Sequence, residues 1–206
     1  MLGTPDSEHV SGKAFLTIAA ARRGHFRLES GHHSGLWFDL NALFTDSRRS
    51  APFITDLSRR LQRYDVTGVC GPLTGGAFLA QRIAGELGVS FFFTERFRPT
   101  AEDESYSVEY RLPAVAESLI LGQRIAIVDD VMSAGSALRG TYTNVRTHGA
   151  NVAVVGALMV LGSVGSKLFE VLDVPVEAVT THEYAIWLPD QCPLCGVGVP
   201  LEDAPT

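Results

Sequence analysis

An apolar segment of the sequence, NVAVVGALMVL at residues 151–161, restricts the fold of this chain more than any other feature. A strand with one face buried and the other exposed to solvent alternates apolar with polar residues, whereas this segment carries no polar side chain after its first residue. It therefore predicts a strand that is buried on both faces. Related segments predict further strands at 66–71 (VTGVCG), 89–96 (VSFFFTER), 124–130 (RIAIVDD) and 176–185 (VEAVTTHEYA).

Segments with apolar residues at helical spacing separate these strands. Ser50 is placed as the N-cap of one of them, and Gly88 lies near the C-terminus of another. The apolar segment 35–45 predicts one or two short strands. Because strands and helices alternate, we expect an α/β fold in which helices cover both faces of a central, mostly parallel sheet, with ligands bound at the carboxyl ends of the strands. The predicted helices cover residues 13–23, 50–63, 75–88 and 136–149.

The composition limits the class of protein. Of the 206 residues, 46% are hydrophobic and 19% are charged, which allows one substantial core and predicts a single domain over residues 1–206. The apolar runs are shorter than the roughly 20 residues of a membrane span. The N-terminus has no secretory signal, so we expect a cytoplasmic protein without a membrane partner. The formal net charge of −6 argues against nucleic acid as a partner.

Two adjacent carboxylates, Asp129 and Asp130, follow directly on an apolar run. Side-by-side carboxylates repel each other and each resists burial, so we expect a cationic or polyhydroxylated ligand beside them. The residues from Ser133 to Ala137 all have small side chains, which lets backbone N–H groups converge next to a helix that begins near Ser136. Two carboxylates followed by a loop whose N–H groups can bind phosphate suit a ribose 5-phosphate as the ligand.

Two other interpretations of this segment compete with the ribose-phosphate site. The acids can cap the following helix while the serines form a turn, and this simpler interpretation stays open. An acidic phospho-acceptor pocket requires a further isolated aspartate and a lysine at other strand ends. The two lysines of the chain, Lys13 and Lys167, are not suitably placed for it.

The segment IVDDVMSAGSA (127–137) resembles the phosphoribosyl-pyrophosphate (PRPP) signature of type I phosphoribosyltransferases. Three further segments are similar to the orotate branch of that family: SGHHSGLWFDLNALF (30–44) to its N-terminal segment, GPLTGGAFLA (71–80) to its pyrophosphate loop, and CPLCGVGVPLE (192–202) to the C-terminal tail of some members. The resemblance spans roughly residues 13–202. It implies the type I phosphoribosyltransferase fold, with a hood segment at 13–45, a core at 64–185 and a mobile lid loop at 95–118.

The resemblance also implies a reaction. The chain would transfer a 5-phosphoribosyl group from PRPP to a nitrogenous base with the help of Mg²⁺, converting orotate to orotidine 5′-monophosphate by default, and it would form a homodimer. Asp129 and Asp130 would hold the ribose hydroxyls, directly or through a magnesium-bound water, and Arg96 and Arg98 would be catalytic cations of the lid. PRPP would also contact the 5-phosphate loop (Met132, Ser133, Ala134, Gly135, Ser136, Ala137) and the pyrophosphate loop (Gly71, Pro72, Leu73, Thr74, Gly75).

Two departures from the family pattern bear on function. The family's lid is rich in lysine, histidine and glycine, whereas residues 95–111 contain none of these and carry three arginines against five acidic residues. The family also places an arginine for the orotate carboxylate after the strand equivalent to 157–160, where this chain has Leu161-Gly162-Ser163. A different acceptor base and a non-catalytic PRPP-binding regulator therefore stay open as alternatives. The candidate substitute cations are Arg27, His32, His33 and Arg139.

The three cysteines do not suggest a disulfide framework. Cys192 and Cys195 have the spacing of a zinc knuckle. Because no second Cys/His pair lies nearby to complete four ligands, the sequence favours a structural tail over a metal site.

Overall fold

The computed structural model of the protein describes Phe15 and residues 20–97 and 108–203, which form two β-sheets and the helices around them. The strands are β1 (Ala20–Arg27), β2 (His33–Asp39), β3 (Gly68–Pro72), β4 (Ser90–Phe97), β5 (Glu109–Arg111), β6 (Arg124–Met132), β7 (Asn151–Leu161), β8 (Val176–His182), β9 (Ile186–Trp187) and β10 (Glu202–Asp203). The helices are α1 (Asn41–Thr45), α2 (Ser47–Gln62), α3 (Gly75–Leu87), α4 (Ala114–Glu117), α5 (Ser136–Thr147), α6 (Val164–Val171) and α7 (Pro193–Gly196), with a 3₁₀ turn at Pro189–Gln191.

The larger sheet has the strand order β5-β4-β3-β6-β7-β8. Every neighbouring pair in it is parallel except β4 with β5, which confirms the predicted mostly parallel sheet. Strand β7 is buried at every position after Asn151, as its apolar sequence predicts. Strand β6 lies between β3 and β7, so whatever follows β6 is placed at the centre of the sheet edge.

Two apolar cores cover the two faces of this sheet. Alternate side chains of β6 point to opposite faces, so Ala126 and Val128 join one core while Ile125 and Ile127 join the other. The first core is completed by α2 and α3, and the second by α5 and α6. Their helical members include Phe53, Leu57, Leu61, Leu79 and Ile83 in the first core, and Leu138, Val145 and Phe169 in the second.

The smaller sheet joins segments from both ends of the described chain in the order β10-β1-β2-β9. Strand β1 is antiparallel to β2 and parallel to β10. The predicted helix over 13–23 is therefore wrong at 20–23, where the backbone pairs with β2 because cross-strand pairing overrides the helix propensity of an alanine-rich segment. Phe15 is helical, and the other residues of 13–19 lie outside the described residues.

The two helices before β3 begin at residues that differ from the sequence prediction. The segment 35–45, predicted as strand, changes after β2 into α1. Helix α2 begins at Ser47 rather than after Ser50, because the carboxylate of Asp46 accepts a hydrogen bond from the N–H of Arg48 at 3.1 Å and caps the helix. Helix α3 ends as predicted, with Gly88 in the left-handed conformation at φ +68°. None of the helices within the described part of the chain has the length and apolarity needed to cross a membrane.

Candidate active site

The acidic pair lies near the carboxyl end of β6, in the middle of the larger sheet. Asp130 is buried and Asp129 is half-buried. The N–H of Val131 donates to Oδ1 of Asp130 at 2.7 Å, and the N–H of Asp130 donates to Oδ1 of Asp129 at 3.0 Å. Backbone bonds thus fix the orientation of both carboxylates, each through one of its two oxygens.

Burial raises the pKa of both carboxyls. For Asp129 the negative charge of Asp130 raises the pKa further. Two carboxylates held together in a poorly solvated place are stabilised by a cation or by hydroxyl donors. This favours a ligand site over the simpler interpretation of the acids as helix caps, and no side chain of the described residues caps α5 by a hydrogen bond.

The small-residue loop after β6 leads into the N-terminus of α5. Gly135 is the N-cap at φ +77°, a conformation that favours glycine, and the first helical bond runs from the N–H of Arg139 to the oxygen of Gly135 at 2.8 Å. The loop is fixed from the other side, because the N–H of Gly165 donates to the oxygen of Ser133 at 2.9 Å. The first turn of α5 therefore offers backbone N–H groups and the positive end of a helix dipole to an anion.

The glycine-rich loop after β3 packs directly on the acidic pair. A Cβ atom on Gly75 would collide with Oδ2 of Asp130, and one on Gly76 would lie 2.9 Å from Oδ1 of Asp129. A Cβ atom on Gly71 would collide with the carbonyl oxygen of Gly76, so the loop is also tightly folded on itself. The Leu73–Thr74 peptide bond in this loop is cis. The structure thus brings the predicted pyrophosphate loop, with Pro72 at the end of β3, into contact with Asp129 and Asp130.

Arg96 belongs to a polar cluster beside this site that includes a residue the sequence analysis missed. Its Nη2 lies 3.4 Å from Oε2 of Glu29, whose Oε1 accepts a hydrogen bond from the Tyr110 hydroxyl at 2.7 Å. The Nε of Arg96 is buried and has no partner among the described residues. Burial, Glu29 and the charge of Asp129 all raise the pKa of Tyr110, which places the cluster within electrostatic range of the acidic pair.

The lid is described only at its two ends. Strands β4 and β5 form its antiparallel stem, with Arg96 opposite Tyr110 and Glu95 opposite Arg111. Arg98, the second predicted lid cation, lies outside the described residues, as does the rest of 98–107. No motif in the sequence pointed to Glu29, which lies in the turn between β1 and β2 and meets Arg96 only through the fold.

The position where the orotate branch has an arginine is closed to a side chain. Gly162 has φ +66°, and a Cβ atom there would lie 2.8 Å from the carbonyl oxygen of Tyr184. The N–H of Gly162 also donates to the oxygen of His182 at 2.9 Å. The glycine is therefore required by the path of the chain after β7, and a carboxylate-binding cation has to come from elsewhere.

We expect Gly162→Arg to destabilise the fold rather than supply the missing cation. Gly122→Arg is the matched control, because Gly122 is exposed, has φ +73° and has no atom within 4 Å of a built Cβ. Both variants carry the backbone strain, and only Gly162→Arg adds the collision with Tyr184. Urea unfolding should show a free energy of unfolding lower by about 1–3 kcal/mol for Gly162→Arg than for the control. Equal values would contradict the packing argument.

The four candidate substitute cations differ in their surroundings. The Nε of Arg27 lies 2.7 Å from Oδ1 of Asp203, and His33 is buried against His25. His32 contacts the hydroxyl of Ser30 at 3.1 Å. Arg139 is exposed on α5, and no hydrogen bond or ion pair joins its side chain to another described residue.

The prediction that Cys192 and Cys195 lack a second pair of ligands is wrong. The fold brings His25 and His33 to them, and one potential ligand atom from each of the four residues lies within 4.8 Å of the others. The sequence separation of more than 150 residues hid this arrangement, because it depends on the pairing of β1 with β2 and on the return of the C-terminal segment to that sheet.

Comparison with known families gives one matching domain. The sequence model described as "Phosphoribosyl transferase domain" matches residues 45–191, a range that contains the acidic pair and both glycine-containing loops. The chain is also 30% identical to an orotate phosphoribosyltransferase of Desulforamulus reducens over 186 residues, with 90% of each chain covered. It is 30% identical to an orotate phosphoribosyltransferase of Thermotoga maritima over 183 residues, covering 89% of this chain and 90% of that protein.

Solved structures share the fold at lower identity. The orotate phosphoribosyltransferase of Aeropyrum pernix superposes with a TM-score of 0.62 at 23% identity, covering 82% of this chain and 92% of that one. The adenine phosphoribosyltransferase of Thermoanaerobacter pseudethanolicus superposes with a TM-score of 0.60 at 21% identity, covering 71% and 88%. The predicted fold class is therefore confirmed.

Proposed function

Because the chain belongs to the phosphoribosyl transferase family, we propose that it transfers the 5-phosphoribosyl group of PRPP to orotate with Mg²⁺, forming orotidine 5′-monophosphate and releasing pyrophosphate. The observation that carries this proposal is the contact of the buried Asp129–Asp130 pair with the loop at 71–76, at the same sheet edge as the N-terminus of α5. The printed names of relatives that cover nine-tenths of the chain support orotate as the acceptor.

The acidic pair and the 5-phosphate loop would bind the ribose 5-phosphate part of PRPP. Carboxylate oxygens accept hydrogen bonds from the two ribose hydroxyls, and such charge-assisted bonds are stronger than neutral ones. The backbone N–H groups from Ser133 to Ala137 and the hydroxyls of Ser133 and Ser136 would bind the phosphate. Together these contacts fix the position of the sugar, and hence of its C1 carbon, before the bond breaks.

The loop from Gly71 to Gly75 would bind the pyrophosphate group. Its glycines allow the backbone to approach an anion closely, and the loop packs tightly against Asp129 and Asp130. The two carboxylates also fit Mg²⁺, which prefers oxygen ligands and would offset the burial that raises both pKa values and the repulsion by Asp130 that raises the pKa of Asp129 further. Asp129 and Asp130 would hold the ion directly or through water, and it would supply positive charge to offset the charge that builds up on the departing pyrophosphate.

Arg96 would contribute a cation to pyrophosphate departure. Its buried Nε lacks a partner among the described residues, and its ion pair with Glu29 holds the guanidinium beside the site.

We expect Arg96→Ala to lower kcat by about 10- to 100-fold, because a cation that stabilises developing charge is lost. Arg111→Ala is the control, since Arg111 belongs to the same stem but lies over the ring of Phe97 and pairs with Glu109. Equal kcat values for the two variants would contradict the role of Arg96. The same role for Arg98 stays a prediction.

The acceptor is tested by measuring pyrophosphate release from PRPP and Mg²⁺ with a panel of bases. We expect the highest kcat/KM with orotate among pyrimidines, purines and simple aromatic bases, with the orotate carboxylate bound by a cation from a position other than 162. Turnover with a different base and none with orotate would overturn orotate as the acceptor while leaving the transferase intact. Asp129→Asn is the negative control for every base.

Three further features belong to the same proposal. We propose a single domain over 1–206, with a hood segment at 13–45, a core at 64–185 and a mobile lid loop at 95–118. We propose a homodimer, supported by apolar side chains that remain exposed near the site loops, among them Leu73, Phe78 and Phe97. We propose a cytoplasmic location without a nucleic-acid or membrane partner, because the substrates are small anions and the chain has a formal net charge of −6.

A further inference from the structure

A second cluster of potential metal ligands lies in the smaller sheet. His25 belongs to β1 and His33 begins the antiparallel β2, while Cys192 and Cys195 flank the first residues of α7. The ring nitrogens His25 Nε2 and His33 Nδ1 are 3.1 Å apart. The Sγ of Cys192 lies 3.3 Å from His25 Nε2, and the Sγ of Cys195 lies 3.7 Å from His25 Nε2 and 3.3 Å from His33 Nδ1.

These separations match the edges of a zinc tetrahedron. With Zn–N bonds of about 2.0–2.1 Å and Zn–S bonds of about 2.3 Å, tetrahedral geometry separates two nitrogens by about 3.3 Å, a nitrogen from a sulfur by about 3.6 Å, and two sulfurs by about 3.8 Å. All four ligand atoms lie within 4.8 Å of one another. A two-cysteine, two-histidine set of this shape selects zinc among the common divalent metals.

Hydrogen bonding alone does not explain why these four side chains converge. The Nδ1 of His25 lies 2.8 Å from the carbonyl oxygen of Val199, which requires that Nδ1 carry the proton and donate it. The Nε2 of neutral His25 then has one lone pair, yet His33 Nδ1, Cys192 Sγ and Cys195 Sγ all surround it. A histidine that donates one N–H to a backbone carbonyl and turns its other nitrogen toward several ligand atoms is typical of a metal site.

From this geometry we propose that His25, His33, Cys192 and Cys195 bind one structural Zn²⁺. The site uses protein atoms for all four positions, so it leaves none open for chemistry, and zinc binding releases the protons of the two thiols. The ion would tie the C-terminal segment to the β1–β2 hairpin. That hairpin carries Glu29 in its turn, and Glu29 pairs with Arg96 beside the acidic pair. Zinc would therefore stabilise the sheet that positions this contact, independently of the transfer reaction.

The test is the metal content of the full chain after purification without chelators. We expect about one zinc per chain in the wild type and less than about a tenth of that in the double variant Cys192→Ser/Cys195→Ser. Cys70→Ala is the matched control, because Cys70 is buried in the larger sheet and belongs to no cluster of potential metal ligands among the described residues. Asp129→Asn is a second control that removes a proposed magnesium ligand and should retain its zinc.

Cobalt substitution keeps the proposal testable if the double variant fails to fold. Wild-type protein loaded with Co²⁺ alone should show the intense visible absorption of a tetrahedral cobalt–thiolate site, and one equivalent of Zn²⁺ should abolish it. Wild-type protein that binds neither metal would overturn the proposal, as would a disulfide between Cys192 and Cys195 in freshly purified protein. Zinc retained at full stoichiometry by a folded double variant would also overturn it.

Discussion

Replacing both Asp129 and Asp130 with asparagine is expected to lower kcat/KM by about 10²- to 10⁴-fold. Each carboxylate contributes a charge-assisted bond of about 1.5–3 kcal/mol to a ribose hydroxyl or to Mg²⁺, and about 1.4 kcal/mol corresponds to a factor of ten. Pyrophosphate release from PRPP with orotate measures the loss. Asp173→Asn is the control, since Asp173 is exposed after α6 and has φ 54°, which asparagine tolerates. Unchanged kinetics in the double variant would contradict the site.

The same double variant should be more stable than the wild type in magnesium-free buffer at pH 8. Burial raises the pKa of Asp130 from 3.8 to about 6, and it also raises that of Asp129, so their charged forms oppose folding. Wild-type stability therefore falls as the pH rises from about 4 through the folded-state pKa values, while the asparagine variant lacks this loss. Urea unfolding should show a gain of roughly 1–3 kcal/mol at pH 8 that shrinks toward pH 4. A less stable variant at pH 8 would mean that the acids hold the fold together.

Gly75→Ala is expected to lower kcat/KM by about 100-fold while the protein stays folded. The added Cβ would occupy the space of Oδ2 of Asp130, so the carboxylate and the loop have to move apart, and a displacement near 1 Å costs about that factor. The matched control is Gly85→Ala in the same helix, where a Cβ meets no atom within 4 Å. That control should keep full activity and gain about 0.5–1 kcal/mol of stability from helix propensity. A Gly75→Ala enzyme with wild-type kinetics would contradict the loop–acid contact.

The core of the larger sheet could be predicted because its signals are local. The apolar segment 151–161 became β7 with the predicted boundaries, and Gly88 ended α3 as its position suggested. The N-terminal segment was harder, because the alanine-rich 20–23 forms a strand only through its pairing with β2. Its structure depends on tertiary contacts that no short window of sequence contains.

The candidate site was likewise predictable only where its residues are close together in the sequence. The motif at 127–137 and the glycines at 71–76 are contiguous in sequence, so the acidic pair and both loops could be named in advance, and the fold places the loop at 71–76 against the acids. Glu29 carries no motif, and its contact with Arg96 joins segments 67 residues apart in sequence. The four-ligand cluster was missed for the same reason, because spacing reveals the pair at 192 and 195 but not the histidines that β1 and β2 bring to it.

Orotate consumption and pyrophosphate release, followed together in one reaction with PRPP and Mg²⁺, test most directly whether this chain is a phosphoribosyltransferase that acts on orotate. The predicted result is equal amounts of orotate consumed and pyrophosphate formed, with both changes absent in the Asp129→Asn/Asp130→Asn variant. Binding of PRPP by calorimetry without any pyrophosphate release, with orotate or another base, would contradict the prediction and indicate a PRPP-binding regulator instead.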